Sequence, residues 1–506
     1  MRQVIAVAVV GSLLLPVAAA QSRPVQDSVR PASPVVPAGE EKPVVTHHQI
    51  TLGSRDVKYT VTAGLMPLRN DAGVIEAQVF FMAYTLDGVT DPAKRPLMFS
   101  FNGGPGSASV WLHLGALGPK RVRMEDEGWL PPAPYQLVDN DQTWLDFTDL
   151  VFIDPVGTGF SRAATPELGK KFWSLQGDIR SVGDFIRLYL TRSERWTSPL
   201  FLVGESYGTT RAAGLASHLV ERGIALNGIV LVSTILNFGT ADFGTGNDLP
   251  YALHVPTYTA TAWYHKKLAP DLQADLSRTL AEAEAWVTNE YLVALAKGDR
   301  LAPEERRRVV EQLARYTGLT PQFVDRSNLR IELGRFMAEL LRDQGATVGR
   351  LDTRFKGINA VAGSERADFD PSMSAIRPPY TAMFNDYVRR ELGYKSDLEY
   401  YILGGGINSR WAFDSDNEYV DVGESLRAAF ARNPHMRVFV AFGYYDAATP
   451  YFAAEYSLAH LRLPPELRAR VTGGHYEAGH MMYIHLPSLT KLSGDVRGFV
   501  TQATTP

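Results

Sequence analysis

The sequence predicts an α/β protein: a mixed, mostly parallel sheet flanked by helices, with a helical cap inserted into it. Three observations lead there. Leu200-Phe201-Leu202-Val203 has the length and composition of a buried strand, and the Ala/Leu-rich run after Gly208 has apolar residues at helical spacing, so strand, tight turn and helix follow one another. Apolar runs of the same buried type recur at 96–101, 150–153, 227–233 and 436–443. From roughly 238 to 394 the period is mostly helical, with 281–297 and 303–316 rich in Ala, Glu, Leu and Arg.

Size and composition set outer limits. A chain of 506 residues with 45% hydrophobic content can bury a large core, in two or three domains or in one large domain with an insertion. The net charge of -4 carries no basic excess, which argues against nucleic acid as a partner. With no cysteine, the chain has no disulfide, no thiol nucleophile and no Cys-ligated metal.

Met1-Arg2-Gln3 is a short positive segment, residues 4–15 are apolar, and Val17-Ala18-Ala19-Ala20 before Gln21 has the small residues of a cleavage site. Residues 1–20 are therefore expected to be a signal peptide, and the protein to be exported, periplasmic or extracellular. The apolar run is shorter than the roughly 20 residues that span a bilayer, and Gly11 and Pro16 interrupt it, so no stable membrane insertion is expected after cleavage. Residues 21–45, rich in Pro, Val and Ser, read as a flexible leader. The expected plan continues with a first part of the core at 46–237, the cap at 238–395 and a second part of the core at 396–506. Nothing in the sequence fixes the oligomeric state.

Segments 49–52, 57–61 and 77–84 alternate or are β-rich, and turn signals separate them, which predicts an antiparallel opening to the sheet. His47 and His48 are adjacent on a strand and point to opposite faces, so a shared metal is not expected. The strand at 96–101 runs into Asn102-Gly103-Gly104-Pro105-Gly106, where the backbone must turn sharply and expose N–H groups. Gly157-Thr158-Gly159 lacks the Lys-Ser/Thr of a phosphate loop and reads as a tight βα loop, and Gly404-Gly405-Gly406 reads as a turn.

Gly204-Glu205-Ser206-Tyr207-Gly208 joins the 200–203 strand to its helix. Gly-x-Ser-x-Gly in that setting leaves the Ser206 hydroxyl exposed above the sheet as a candidate nucleophile, with the helix start aiming N–H groups at a developing oxyanion. Such a serine needs an acid and then a base later in the chain. Asp446 falls in the turn just beyond the strand at 436–443, whereas Asp414 and Asp416 lack a preceding strand. For the base, His475 and His480 compete, and either fits the sequence. Met481 and Met482 read as packing residues.

Asn102-Gly103-Gly104-Pro105-Gly106, then Asp154-Pro155-Val156-Gly157-Thr158-Gly159-Phe160-Ser161, then Gly204-Glu205-Ser206-Tyr207-Gly208 resemble the three ordered signature blocks of the serine carboxypeptidases, α/β-hydrolases that act on peptide C-termini. The resemblance covers most of the chain from about 96 to 480 and selects His480 as the base. It implies an acyl-enzyme mechanism on Ser206, with the backbone N–H groups of Gly104 and Tyr207 as oxyanion hole and no cofactor or metal. It also implies a grip on the substrate's terminal carboxylate by Asn102, Gly103 and Glu205, with Glu205 protonated. Two departures stand out: Ala116 occupies the place of the glutamate that usually shares Glu205's proton, with His113 nearby as a replacement, and Ser107 stands where the family has a cysteine. The elbow and triad do not choose amide over ester, so an esterase or acyltransferase is the alternative, and a non-catalytic binding protein the remoter one. Trp263, Tyr264, Phe336 and Tyr380 of the cap are candidates to line a pocket or to pack, and packing is the favoured reading.

Overall fold

A computed structural model of the protein describes residues 40–361, 363–415 and 419–505. The expected signal peptide, the leader up to residue 39 and Asp416 lie outside the described residues. A ten-stranded sheet forms the centre. Val44–Leu52, Arg55–Arg69 and Ile75–Leu86 make the antiparallel opening. The order then runs Asp149–Ile153, Leu97–Phe101, Leu200–Ser206, Gly228–Thr234, Arg437–Gly443 and Val471–Tyr476, parallel to one another, with the short Arg162–Ala163 strand paired to Ile75–Leu86.

The continuous apolar runs of the central strands are explained by burial on both faces. Phe201 and Val203 point into one core with Val230, Val232 and Phe439, while Leu200 and Leu202 point into the other with Ile229, Leu231 and Val438. The first core is closed by the helices Pro371–Arg390 and Leu486–Thr504, the second by Leu175–Arg192, Tyr207–Glu221 and Gly423–Arg432. Helices Val255–Tyr264, Leu276–Trp286 and Pro303–Thr317 share a third apolar core of their own, around Tyr258, Trp286 and Leu313.

Because the six central strands are parallel, their C-terminal ends fall on one edge of the sheet. Asn102 follows one of them directly, Ser206 ends another, and Asp446 and His480 lie three and four residues beyond two more.

Candidate active site

Ser206 is the last residue of its strand and the N-cap of the helix that follows, and its backbone is forced to φ 60°, ψ -130°. That is a costly conformation for a residue with a side chain, and it persists because the surroundings over-determine it. A Cβ at Gly204 would come within 2.1 Å of the Gly208 carbonyl oxygen, so glycine there is what lets the turn close on itself. Ser206 is half-buried at the end of an otherwise buried strand.

The Gly-rich loop packs directly against this turn. A Cβ at Gly103 would lie 2.4 Å from the backbone nitrogen of Tyr207 and 2.8 Å from that of Gly208. Gly104 is exposed at φ +101°, and among the described residues no group accepts its N–H. The Tyr207 N–H, first in its helix, has no partner within the helix. The loop is held from beneath by Arg211, buried in the same helix, which donates from Nη1 to the Asn102 carbonyl (2.7 Å) and from Nε to Asp178 Oδ2 (2.7 Å).

Asp446 and His480 meet. His480 Nδ1 donates to Asp446 Oδ2 at 2.8 Å, and both side chains are buried. Asp446 Oδ1 accepts from the backbone N–H groups of Ala448 (2.9 Å) and Thr449 (3.0 Å), and Oδ2 also accepts from the Thr449 hydroxyl (2.7 Å). Burial presses the His480 pKa down, but the Asp446 charge and hydrogen bond, with Glu205 adding to them, leave it above the ordinary histidine value. The His480 carbonyl accepts from Ser233, whose neighbour Thr234 is in register with Ser206, so the histidine loop stands beside the strand end that carries Ser206. His475 is elsewhere: its Nε2 pairs with Glu455 at 2.9 Å and its ring stacks on Phe442 and Tyr444. Asp414 accepts from the backbone of Gln176.

Glu205 is buried beside Ser206. Its Oε1 accepts from Asn102 Nδ2 (2.9 Å), and Asn102 Oδ1 in turn accepts from the Leu112 N–H (3.1 Å). Burial pushes the Glu205 carboxyl up to about 7, against the pull of His480 and of its two hydrogen bonds. His113 does not replace the missing carboxylate. Its Nε2 meets the Tyr84 hydroxyl at 2.7 Å, its ring stacks on Phe152, and full burial takes its pKa down to about 3. The second oxygen of Glu205 is instead occupied by Tyr483, whose hydroxyl donates to Oε2 at 2.6 Å.

Other contacts around the site were not foreseen. Residues 350–354 run between the turn of Asp446 and the loop of His480: Thr353 N–H donates to the Tyr445 carbonyl (2.9 Å), Ala447 N–H to the Arg350 carbonyl (3.2 Å), His480 N–H to the Leu351 carbonyl (2.6 Å), and Gly479 N–H to Asp352 Oδ2 (3.0 Å). Asp352 is itself bound by the buried Arg354. Three glycines in a row at 404–406 turn against the Gly-rich loop, where Asn408 and Ile407 cover Gly106. Of the aromatic residues expected to pack, Phe336 stacks on Tyr258 in the helical core, Tyr380 lies against Trp111, and Tyr264 lies against Tyr445, next to Asp446. Met481 and Met482 are buried in the core on one face of the sheet.

With this geometry in view, the comparisons with known proteins are direct. The sequence model of the serine carboxypeptidase family matches residues 54–475. Serine carboxypeptidase-like 5 of Arabidopsis thaliana is 29% identical over 153 residues, which cover 28% of this chain and 33% of that protein. The pheromone-processing carboxypeptidase KEX1 of Saccharomyces cerevisiae is 33% identical over 156 residues, 29% of this chain and 20% of that protein. The alignments thus span about a third or less of these relatives' length. The crystal structure of the Saccharomyces cerevisiae prohormone-processing carboxypeptidase Kex1(Δ)p superposes with a TM-score of 0.57 at 17% identity, covering 88% of this chain and 91% of that one, and the shared fold is that of the α/β-hydrolases. As the family's model runs from the second strand almost to the end of the last, taking in the glycine-rich loop, the elbow and the turn of Asp446, the chain belongs to the serine carboxypeptidase family.

Proposed function

We propose that the protein is an exported serine-type carboxypeptidase that releases C-terminal amino acids from peptides through an acyl-enzyme on Ser206. One observation carries the choice of a terminal carboxylate as the group recognised: Glu205, next in the chain to the nucleophile, is buried and tied to Asn102 of the Gly-rich loop. A carboxyl that burial keeps protonated up to about pH 7 donates a hydrogen bond to a substrate carboxylate, where an ionised one repels it.

The chemistry follows from the positions of the groups. Neutral His480 takes the proton of Ser206 as its oxygen attacks the scissile carbonyl, and returns it to the leaving amine. Asp446 fixes the proton on Nδ1, which leaves Nε2 bare to act as base, and it stabilises the imidazolium. The N–H groups of Gly104 and Tyr207 receive the oxyanion, and Asn102, the Gly103 N–H and Glu205 bind the departing residue's carboxylate. Water then releases the acyl group. No step requires a metal or organic cofactor. Within the helical segment 238–395, the part with its own apolar core around Tyr258, Trp286 and Leu313 is the cap in this reading and shapes the side-chain preference, whereas the helix Pro371–Arg390 packs on the sheet. Export rests on residues 1–20; among the described residues no helix is long and apolar enough to cross a membrane.

Mass spectrometry on one peptide in two forms tests the proposal. Stepwise loss of residues from a free C-terminus, absent in Ser206→Ala, is the expected result. Turnover of esters alone would replace it with the esterase reading, and failure of a fluorophosphonate to label Ser206 would leave only a binding protein.

A further inference from the structure

The partner of Glu205 is a phenol. Tyr483 stands three residues beyond His480 in a buried apolar run and gives its hydroxyl hydrogen to Glu205 Oε2, so both carboxyl oxygens have a donor, Asn102 on one side and Tyr483 on the other. Its ring needs room that the sequence supplies at Gly115, directly before Ala116: a Cβ at Gly115 would lie 2.4 Å from the Tyr483 ring and 2.6 Å from the Tyr380 hydroxyl. Among the described residues no second carboxylate hydrogen-bonds to Glu205.

We propose that Tyr483 is the positioning residue of the carboxylate-recognition site, holding Glu205 in place and setting the pH above which the enzyme stops accepting peptides with a free C-terminus. The inference rests on the carboxypeptidase reading. A phenol differs from a carboxyl partner in what it does to the proton. Two carboxyl groups can share one proton, and each keeps the other from ionising. Tyr483 keeps its proton at physiological pH, burial holding its phenol well above the ordinary tyrosine value, so it stays neutral and its O–H donates to Oε2. A donor fixed on Oε2 favours ionised Glu205 over neutral Glu205, against the burial that favours the neutral form. The groups facing Glu205 are His480 and Asp446 from the two loops, Asn102 from the Gly-rich loop, Tyr483, and Tyr380 from the helix Pro371–Arg390. Of these, His480, held above the ordinary histidine value by the Asp446 charge, acts on every substrate. Glu205 acts only on those with a terminal carboxylate.

That difference provides the test. KM is measured from pH 5.5 to 9 for a dipeptide with a blocked amino group and a free carboxylate, and for its C-terminal amide, in wild type and in Tyr483→Phe. For the wild type, KM of the free acid is expected to climb about tenfold per pH unit once Glu205 ionises, while KM of the amide does not follow. In Tyr483→Phe the climb should begin about one pH unit higher, because the ionised carboxylate has lost a donor and the ring is kept. Glu205→Gln, with Tyr483 intact, should show no climb on the free acid at all. A climb starting at the same pH in Tyr483→Phe and wild type, a climb that persists in Glu205→Gln, or an equal shift for the amide would overturn the proposal. A wild type whose Ser206 reacts with a fluorophosphonate but which never cleaves the free acid would fail in a distinct way, by removing the carboxypeptidase reading itself and the Tyr483 proposal with it.

Discussion

Replacing Asp446 by Asn is the sharpest single test of the catalytic assignment, because the hydrogen bonds around it dictate which way the new amide must face. Oδ1 accepts two backbone N–H groups, from Ala448 and Thr449, and only an oxygen can stay there. The amide nitrogen is therefore forced into the place of Oδ2, 2.8 Å from His480 Nδ1 and 2.7 Å from the Thr449 hydroxyl. An N–H donor in that place meets an Nδ1 without a proton, so the imidazole proton moves to Nε2, the nitrogen that receives the proton of Ser206 in the proposed mechanism. The base is disabled with its ring still in position. In serine hydrolases built on this arrangement the wrong tautomer costs on the order of 10⁴ in kcat, or about 5 kcal/mol of barrier. Asp446 is fully buried and touches no substrate, so KM should stay within a few-fold, and an isosteric change that keeps two of its hydrogen bonds should leave the fold intact. Steady-state kinetics on a free-acid peptide and the second-order rate of fluorophosphonate labelling should fall together. A kcat within tenfold of wild type, or a loss confined to KM, would refute the assignment of Asp446.

Four more outcomes are expected. His475→Ala should retain activity within a few-fold while His480→Ala loses it in both peptide and labelling assays, because His475 lies within the last strand, paired to Glu455, and not on the loop beyond it that carries His480. Gly103→Ala should cut kcat by about 10²–10³, since its new Cβ meets only backbone atoms of the elbow, which do not yield, and the oxyanion donors part company; kinetics alongside a circular dichroism spectrum checks this. Asp352→Ala should destabilise the protein by about 3 kcal/mol in denaturant unfolding, because it leaves the buried Arg354 to the more distant Glu127 (3.8 Å) and strands the Gly479 N–H. Finally, kcat/KM on a free-acid peptide should trace a bell. Its rising limb is the deprotonation of His480, raised above the ordinary histidine value by Asp446, and its falling limb is the ionisation of Glu205 near 7, whereas an amide or ester substrate should show the rising limb alone; a flat profile from pH 5 to 9 on both substrates would contradict it.

The features that sequence patterns conveyed are those whose cause is local. The elbow at 204–208 is a matter of five consecutive residues, and the Gly-rich turn at 102–106 and the turn of Asp446 after its strand are equally short. The apolar runs that predicted the sheet also carried their own explanation in the two cores on its faces. What the sequence hid is what depends on separation. Asn102 and Glu205 are 103 positions apart, Glu205 and Tyr483 are 278 apart, and Asp352 and Gly479 are 127 apart. His113 was the nearest polar residue in sequence to the vacant glutamate position, yet its ring turns into the apolar core against Phe152. Tyr483 had one signal in the sequence: a tyrosine in the buried run Met481-Met482-Tyr483-Ile484 needs a partner for its hydroxyl. No pattern names that partner.

The strand ends bring Asp446 and His480, the proposed acid and base, to one edge of the sheet, but they do not set the last ångström between them. Asp446 lies three residues past its strand and His480 four past its own, so each sits on a loop with freedom to drift. The ties from residues 350–354 remove that freedom from both loops at once, two hydrogen bonds to the Asp446 turn and two to the His480 loop, and Gly479 is pressed so close that a Cβ there would lie 2.5 Å from that of Asp352. The 2.8 Å contact between Asp446 and His480 is thus held by a third segment, which follows the helical core rather than belonging to either strand. Loosening that segment should lower kcat before it raises KM, since Asp446 and His480 move apart while Asn102, Gly103 and Glu205, held through Arg211 and the elbow, remain where they are.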